Sequence, residues 1–487
     1  MPAATSPYED WTKADLIAKL MELESKRETT QSAAREKIDF ACHARRKIAL
    51  RFCYAGWAYN GLAVQAQPTP LPTVEGVLFA ALAKARLVDP DAGMDGCGWE
   101  RCGRTDRGVS AAGQVVSLWV RSALRPEEDA SRTGETLGST RAEDAEAGEE
   151  AWGEGDDDFS GAFDETDFAG PSRSSSAQEQ EFHYAVVLNR ILPPTIRIIA
   201  WSPVSPDFSS RFSCQSRHYK YFFSADELDV GRMADAASLL VGEHDFRNFC
   251  KFDPAKQLTV YTRRVQSATI SAVRDSDSDG MYVFDLVGNA FLYHQVRHIM
   301  AILFLVGSGL EPPSVVSALL NVAPGAEGDA DASLPVVDTK PEYQMADGLP
   351  LVLYACHYPA GALEWRSDAE TTTSSEGLYR QMHTALGRSE MFATLNRVFL
   401  AAAAVYHPKP PSTLPIHETG FAVDGKTAMN VPLGGSEVRW VAKYVPVLER
   451  KRGDHFEVVN ERWRLGKGAR RDERKKAGTE EAPVCPA

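Results

Sequence analysis

An ionisable side chain does chemistry where it is held rigidly yet stays reachable, and one stretch of this chain meets both conditions. Between Arg101 and Leu118, the residues Arg104, Thr105 and Asp106 are followed by Gly108, small residues and the β-patterned GQVVSLWV. An Asp on a Gly-containing loop ahead of a buried strand has a fixed backbone and an open side chain. An Arg two residues away can pair with it and favour its ionised form, as a carboxylate nucleophile requires. Residue types alone favour a plainer alternative, an Arg–Asp pair that braces a loop. Other spacings are weaker. Gly420 to Thr427 matches the phosphate-binding pattern G-x-x-x-x-G-K-[ST]. That cradle needs a buried strand before it and a helix after it, and the flanks PKPPSTLPIHET and AMNVPLGG supply neither. The eight cysteines (Cys42, Cys53, Cys97, Cys102, Cys214, Cys250, Cys356 and Cys485) contain no C-x-x-C pair. Zinc-ribbon and thioredoxin chemistry therefore lack support, and reduced, mostly structural thiols are expected.

Elements must position the Asp106 loop, and the patterning around it supplies them. RKIALRFCYAG alternates as a strand running into a turn. PTVEGVLFAALAKARL carries Val77, Leu78, Ala81 and Leu82 as a helical stripe after Pro72 and Thr73. After a stretch from about Pro126 to Gln180, order resumes at FHYAVVLNRILPP. YKYFFS, RVQSATISAV and MYVFDLVGNAFL then read as strands, and HQVRHIMAILFLVGSG as a buried helix. Trp11 to Leu23 reads as a short amphipathic helix, with Thr12 as its N-cap. Ala323 to Ser333 reads as a loop, and MFATLNRVFLAAAAVY as a helix of the C-terminal part. No repeat of 20 to 50 residues argues for a solenoid.

The chain has 487 residues and a formal net charge of −14, which looks unsuited to nucleic acid. The distribution removes the objection. Pro126 to Glu181 holds 18 acidic and 3 basic residues, leaving the rest of the chain at +1. That stretch is rich in Asp, Glu, Gly, Ser and Ala and reads as a disordered surface insertion whose ends lie close together. A near-neutral body can still present a basic cleft. From Glu449 to Lys476, 11 Lys/Arg face 6 Asp/Glu. No apolar run is long enough to span a bilayer, and the N-terminus lacks a secretory pattern. A cytoplasmic or nuclear location is the expectation.

The segment CGRTDRGVSA resembles the signature of TruA-type pseudouridine synthases, whose R-T-D-x-G-V core carries the catalytic Asp. FCYAGWAYNGLAVQ with PTVEGVLFAAL, then LNRILPPTIRI with DFSSRFSCQSRHYKYFF, then GNAFLYHQVRHI, are similar to further blocks of that family, in family order over most of residues 46 to 310. The resemblance implies that Asp106 is the nucleophile that enables glycosidic cleavage, by a covalent or a glycal route, and that Arg104 and Arg297 stand beside it. It implies that Tyr219 stacks on the target uracil, leaving Tyr221 to the core. Arg297, between apolar residues of HQVRHI, is expected to be partly buried and paired. Arg217, Lys220, Arg247 and Lys251 are candidates for RNA phosphates. His294 and His298 are spaced i, i+4, but they lie in a family motif that binds no metal. YEDWTKADLIAKLMELES, the cysteine of CGRTD and HDFRNFCKFD are similar to the eukaryotic branch that modifies tRNA positions 38 and 39. A sister branch acting at positions such as 27 and 28 is the alternative, as is a non-catalytic tRNA-binding protein or a scaffold acting through the acidic insert.

Patterning alone gives a mixed α/β class. The resemblance implies two similar halves around a central, largely antiparallel sheet with a cleft between them, no metal or other cofactor, tRNA as partner and a homodimer. The expected organisation is an N-terminal helical extension (1–45), a first catalytic half (46–125), the acidic insertion (126–181), a second half (182–367) and a C-terminal helical extension with a basic tail (368–487).

Overall fold

In the computed structural model, residues 38–124, 181–273, 280–324, 334–367, 375–409 and 429–470 are described. The expected helix at Trp11 to Leu23, the phosphate-loop match, nearly all of the acidic stretch and Cys485 lie outside them. The chain divides into a unit ending at Ala44 and another from Arg45 onward. Among the described residues of the first, a 3-10 turn at Phe40–Cys42 is capped by the Asp39 side chain.

The second unit is built on alternation. In β1 (Arg45–Tyr54), Ile48, Leu50, Phe52 and Tyr54 enter one core while Ala49 enters another on the opposite face. The remaining strands are β2 (Glu100–Arg101), β3 (Ser110–Arg121), β4 (Ile196–Pro203), β5 (Ser216–Ser224), β6 (Gly242–Asp245), β7 (Thr262–Ala272), β8 (Met281–Gly288) and β9 (Leu351–His357). They form one sheet in the order β4-β1-β3-β9-β5-β8-β7-β6, with β2 paired to β3. Every pairing is antiparallel except β3 with β9, where Ser110 and Ala111 lie opposite Val352 and Leu353. The expected α/β class with a largely antiparallel sheet is what the chain adopts.

That parallel pair is the seam between two cores. One packs α1 (Val74–Lys84) and α2 (Tyr184–Ile191) on β1, β3 and β4; Thr73 caps α1 through the Gly76 amide. The other packs α3 (Val230–Ser238) and α4 (Gln295–Gly307) on β5, β7 and β8. Tyr219 on β5 packs against both cores. Of the 13 residues in α4, Arg297 alone is not fully buried. Each buried Ile, Leu or Phe side chain there contributes about 1.5–3 kcal/mol, which fixes the helix and its first turn.

On either side of the acidic stretch the chain comes together. The Glu181 carboxylate accepts from Ser122 Oγ at 2.6 Å and from the Ala123 amide at 3.0 Å. The C-terminal part differs from the expected single helix. Helix α5 runs from Ser375 to Ala404, and β10 (Met429–Gly434) and β11 (Glu437–Val441) form a hairpin before α6 (Phe456–Trp463). Pro432 and the Gly434-Gly435 turn mask the hairpin's alternation in the sequence. Met429 and Val431 join the α4 core, and a side chain at Gly434 would collide with the Tyr221 hydroxyl.

Candidate active site

Asp106 sits immediately before β3, at the seam. Its carbonyl accepts the Val109 amide at 3.2 Å, closing a turn in which Gly108 has φ +83°. Only glycine takes that conformation there without steric cost. Behind the turn, Tyr54 Oη and Thr105 Oγ1 are 2.6 Å apart, and Gln114 Nε2 donates to the Gly103 carbonyl at 2.9 Å. The turn after β1 packs against the same loop, since a Cβ at Gly56 would collide with the Val109 carbonyl. The backbone of Asp106 is thus pinned from three sides, while its side chain remains 25% exposed.

The groups facing the carboxylate come from the far half of the sheet. His294 Nε2 is 3.4 Å and Arg297 Nη1 is 3.8 Å from Asp106 Oδ2. Arg297 is further fixed by its Nε, which donates to the Ala346 carbonyl at 2.8 Å. His294 caps α4 with φ +63°, a left-handed backbone unusual for a histidine, and its Nδ1 is buried without a hydrogen bond. Strain of that kind persists where the surroundings over-determine it. The sequence gives His294 no role beyond a spacing to His298 in a motif not expected to bind metal; its place three residues before Arg297, on the turn entering α4, is the signal that marks it. Tyr219 is half-buried, with its ring edge-on to Phe291 at 5.1 Å, and burial pushes its phenol upward, so the oxygen keeps its proton.

One expected pairing, between Arg104 and Asp106, is absent among the described residues. Arg104 is exposed, and no ion pair joins it to Asp106. The carboxylate's partners arrive from α4 instead, and the Arg104 guanidinium stays in solvent. Three of the four phosphate candidates are held by internal partners. Arg217 donates to the carbonyls of Asn289, Cys102 and Arg211 at 2.6–3.1 Å. Lys220 pairs with Asp285 at 2.8 Å and lies over the Tyr354 ring. Arg247 grips both oxygens of Asp245. These contacts take up part of each cation's donor set; strand register brings Asp285 opposite Lys220, whereas Asp245 lies two residues from Arg247 in sequence. Lys251 is exposed, with Nζ 6.0 Å from the ring of Tyr293, the neighbour of His294.

His298 and Lys340 form a second titratable pair behind the site. Lys340 Nζ lies 3.0 Å from His298 Nε2 and donates to the Cys250 carbonyl at 2.7 Å. Burial, then Lys340, draws His298 down to about 2, and burial draws Lys340 down to about 7. The native state therefore leaves His298 neutral where an unfolded histidine, near 6.5, takes a proton. Below that pH the unfolded state binds more protons, so stability falls with pH, by up to about 1.4 kcal/mol per unit from this residue. Urea unfolding between pH 7 and 5 should show a shallower decline in His298→Gln than in the wild type; equal slopes would contradict this. Among the described residues, no cluster of His, Cys, Asp and Glu is arranged to hold a metal, and all seven described cysteines are free.

Residues 236–359 match the family model for tRNA pseudouridine synthase. Over 94% of its length the chain is 36% identical to the tRNA pseudouridine(38/39) synthase of Saccharomyces cerevisiae, covering 92% of that protein. The chain belongs to this family. It is 39% identical to the human tRNA pseudouridine(38/39) synthase over 71% of this chain and 62% of the human one. The tRNA pseudouridine synthase A of Methanosarcina mazei is 29% identical over 56% of the chain. Membership in this family agrees with the resemblance carried by the four motif blocks, and it places Asp106 in a protein class that acts on tRNA.

Proposed function

We propose that this protein isomerises uridine to pseudouridine in the anticodon stem-loop of tRNA, at positions 38 and 39, with Asp106 as its nucleophile. The observation that carries the reading is a pinned, reachable carboxylate faced by His294 and Arg297 at the seam of the sheet. The reaction breaks the bond from C1′ to N1 of uracil and forms one from C1′ to C5. The proton leaves C5, and N1 finishes with a proton, so the product is an isomer of the substrate. Asp106 enables the cleavage, Arg297 holds the carboxylate, and Tyr219 offers a ring against which the uracil stacks, with a neutral phenol that can hydrogen-bond or relay a proton but not keep an extra one. The base must leave its stack to reach Asp106, at a cost of about a few kcal/mol. Arg104, Arg107, Lys251 and Lys256 are exposed around this point and offset that cost by contacting phosphates.

A homodimer is part of the same proposal, supported by α5. Tyr379, Met382, Leu386, Leu395 and Phe399 are 45–73% exposed along it, an apolar surface that a second copy would cover. The test is site mapping of pseudouridine in bulk tRNA treated with purified protein. Modification at 38 and 39 is expected; modification at 27 or 28 alone would overturn the assignment. Light scattering on the same preparation should give twice the 53.4 kDa of one chain; a monomer mass would remove the role given to α5.

A further inference from the structure

A cavity of about 370 Å³ lies where the C-terminal hairpin meets α4, outside the residues assigned to the reaction. Its floor is apolar, formed by Ala301 and Leu305 of α4 and Val431 of β10. Its rim carries four cations, Arg439, Lys443, Arg450 and Lys451, against two carboxylates, Glu342 and Glu449. Arg439 lies opposite Val431 in the hairpin register, which puts it on the cavity side of β11. Arg450 is held by the Val445 carbonyl at 2.8 Å and lies over the Tyr444 ring. Arg439, Lys443 and Lys451 make no ion pair among the described residues. An apolar floor under unpaired cations fits a ligand with a flat, weakly polar body and an anionic group. A nucleotide has both.

The position of the cavity narrows which nucleotide. Arg297, Ala301 and Leu305 are four residues apart and share one face of α4. At 1.5 Å per residue, the floor lies about 6 to 12 Å along the axis from Arg297. A single short segment connects the two places. The Ala346 carbonyl accepts from Arg297, and the Asp347 amide donates to the Leu433 carbonyl of β10 at 2.7 Å. The cavity is therefore within a few nucleotides' reach of Asp106 along an RNA strand.

We propose that this cavity seats a nucleotide flanking the target uridine, its base on the Ala301–Leu305–Val431 floor and its phosphate against Arg439, Lys443 and Lys451. The proposal rests on the pseudouridine synthase reading. It gives the C-terminal hairpin a role in holding the substrate strand beside the flipped base. The test uses the full chain carrying Arg439→Glu and Lys443→Glu, both exposed side chains, with thermal unfolding to confirm the fold. On an anticodon stem-loop, KM should rise at least about tenfold with kcat within about twofold. The slope of log affinity against log salt should shallow by roughly 1 to 2, as expected for losing two phosphate contacts. In the wild type, 5-bromouridine placed beside the target should crosslink to the cavity lining, within residues 301–305, 342–344 or 429–451. An unchanged KM and slope, or crosslinks confined to other segments, would overturn the subsite while an active wild type leaves the reaction assignment standing. A KM that falls on charge reversal would mean that an acidic polypeptide occupies the cavity, and would also overturn it. A wild type that makes no pseudouridine would instead refute the reading on which the subsite rests.

Discussion

Asp106→Ala protein is expected to bind an anticodon stem-loop with near wild-type affinity and to turn it over at least about 10⁴-fold more slowly. That loss corresponds to about 5.5 kcal/mol of transition-state stabilisation. The separation of binding from turnover follows from the geometry. The Asp106 loop is held by backbone contacts through Thr105, Gly108 and Val109 and by the packing of Gly56, none of which needs the carboxylate. Removing a 25%-exposed side chain leaves that scaffold in place. The substitution also releases His294 and Arg297 from their anionic neighbour, so the RNA surface becomes no less positive. A variant that loses affinity in parallel with rate would place Asp106 in RNA binding instead. A single-turnover assay on bound substrate, with affinity measured separately, resolves the two.

The second large effect is at Arg297. Arg297→Ala should lower kcat about 10²- to 10³-fold, the range seen when one preorganised charged donor is lost from a reacting centre. Arg297→Lys should recover only part of this. Arginine uses Nη1 toward Asp106 and Nε toward the Ala346 carbonyl at once, and a lysine ammonium cannot reproduce that fork from one atom. Because α4 is otherwise buried, kinetics must be read beside thermal unfolding. A folded Arg297→Lys protein with wild-type kcat would show that charge alone suffices and that the Ala346 contact is incidental.

What the sequence revealed, and what it hid, follows the range of the interactions. Strand β1, helix α1 and helix α4 are legible because their apolar periods are local and their burial follows from them. The Tyr221 ring is fully buried, as its place two residues along from Tyr219 suggested. Strand β9 is only seven residues long, and nothing in its own residues shows that it pairs in parallel with β3 to form the seam that brings Asp106 to α4. The hairpin β10–β11 is broken in pattern by Pro432 and two glycines, although it braces the segment touching Arg297. Charged residues were the least legible. Arg104, two residues from Asp106, stays in solvent, whereas His294 and Arg297 reach the carboxylate from another core. Arg217, Lys220 and Arg247 have internal partners set by strand register and loop packing. Sheet topology brings Arg297 to Asp106 and Asp285 to Lys220, while Arg247 pairs with Asp245 only two residues away.

The most direct test of the account is a single-turnover time course on an anticodon stem-loop whose only uridine lies at position 39, run with purified wild-type and Asp106→Ala protein at saturating enzyme. The account predicts complete conversion to pseudouridine by the wild type and none above background by the variant, with both proteins bound to the RNA. Conversion by Asp106→Ala protein at the wild-type rate would contradict it.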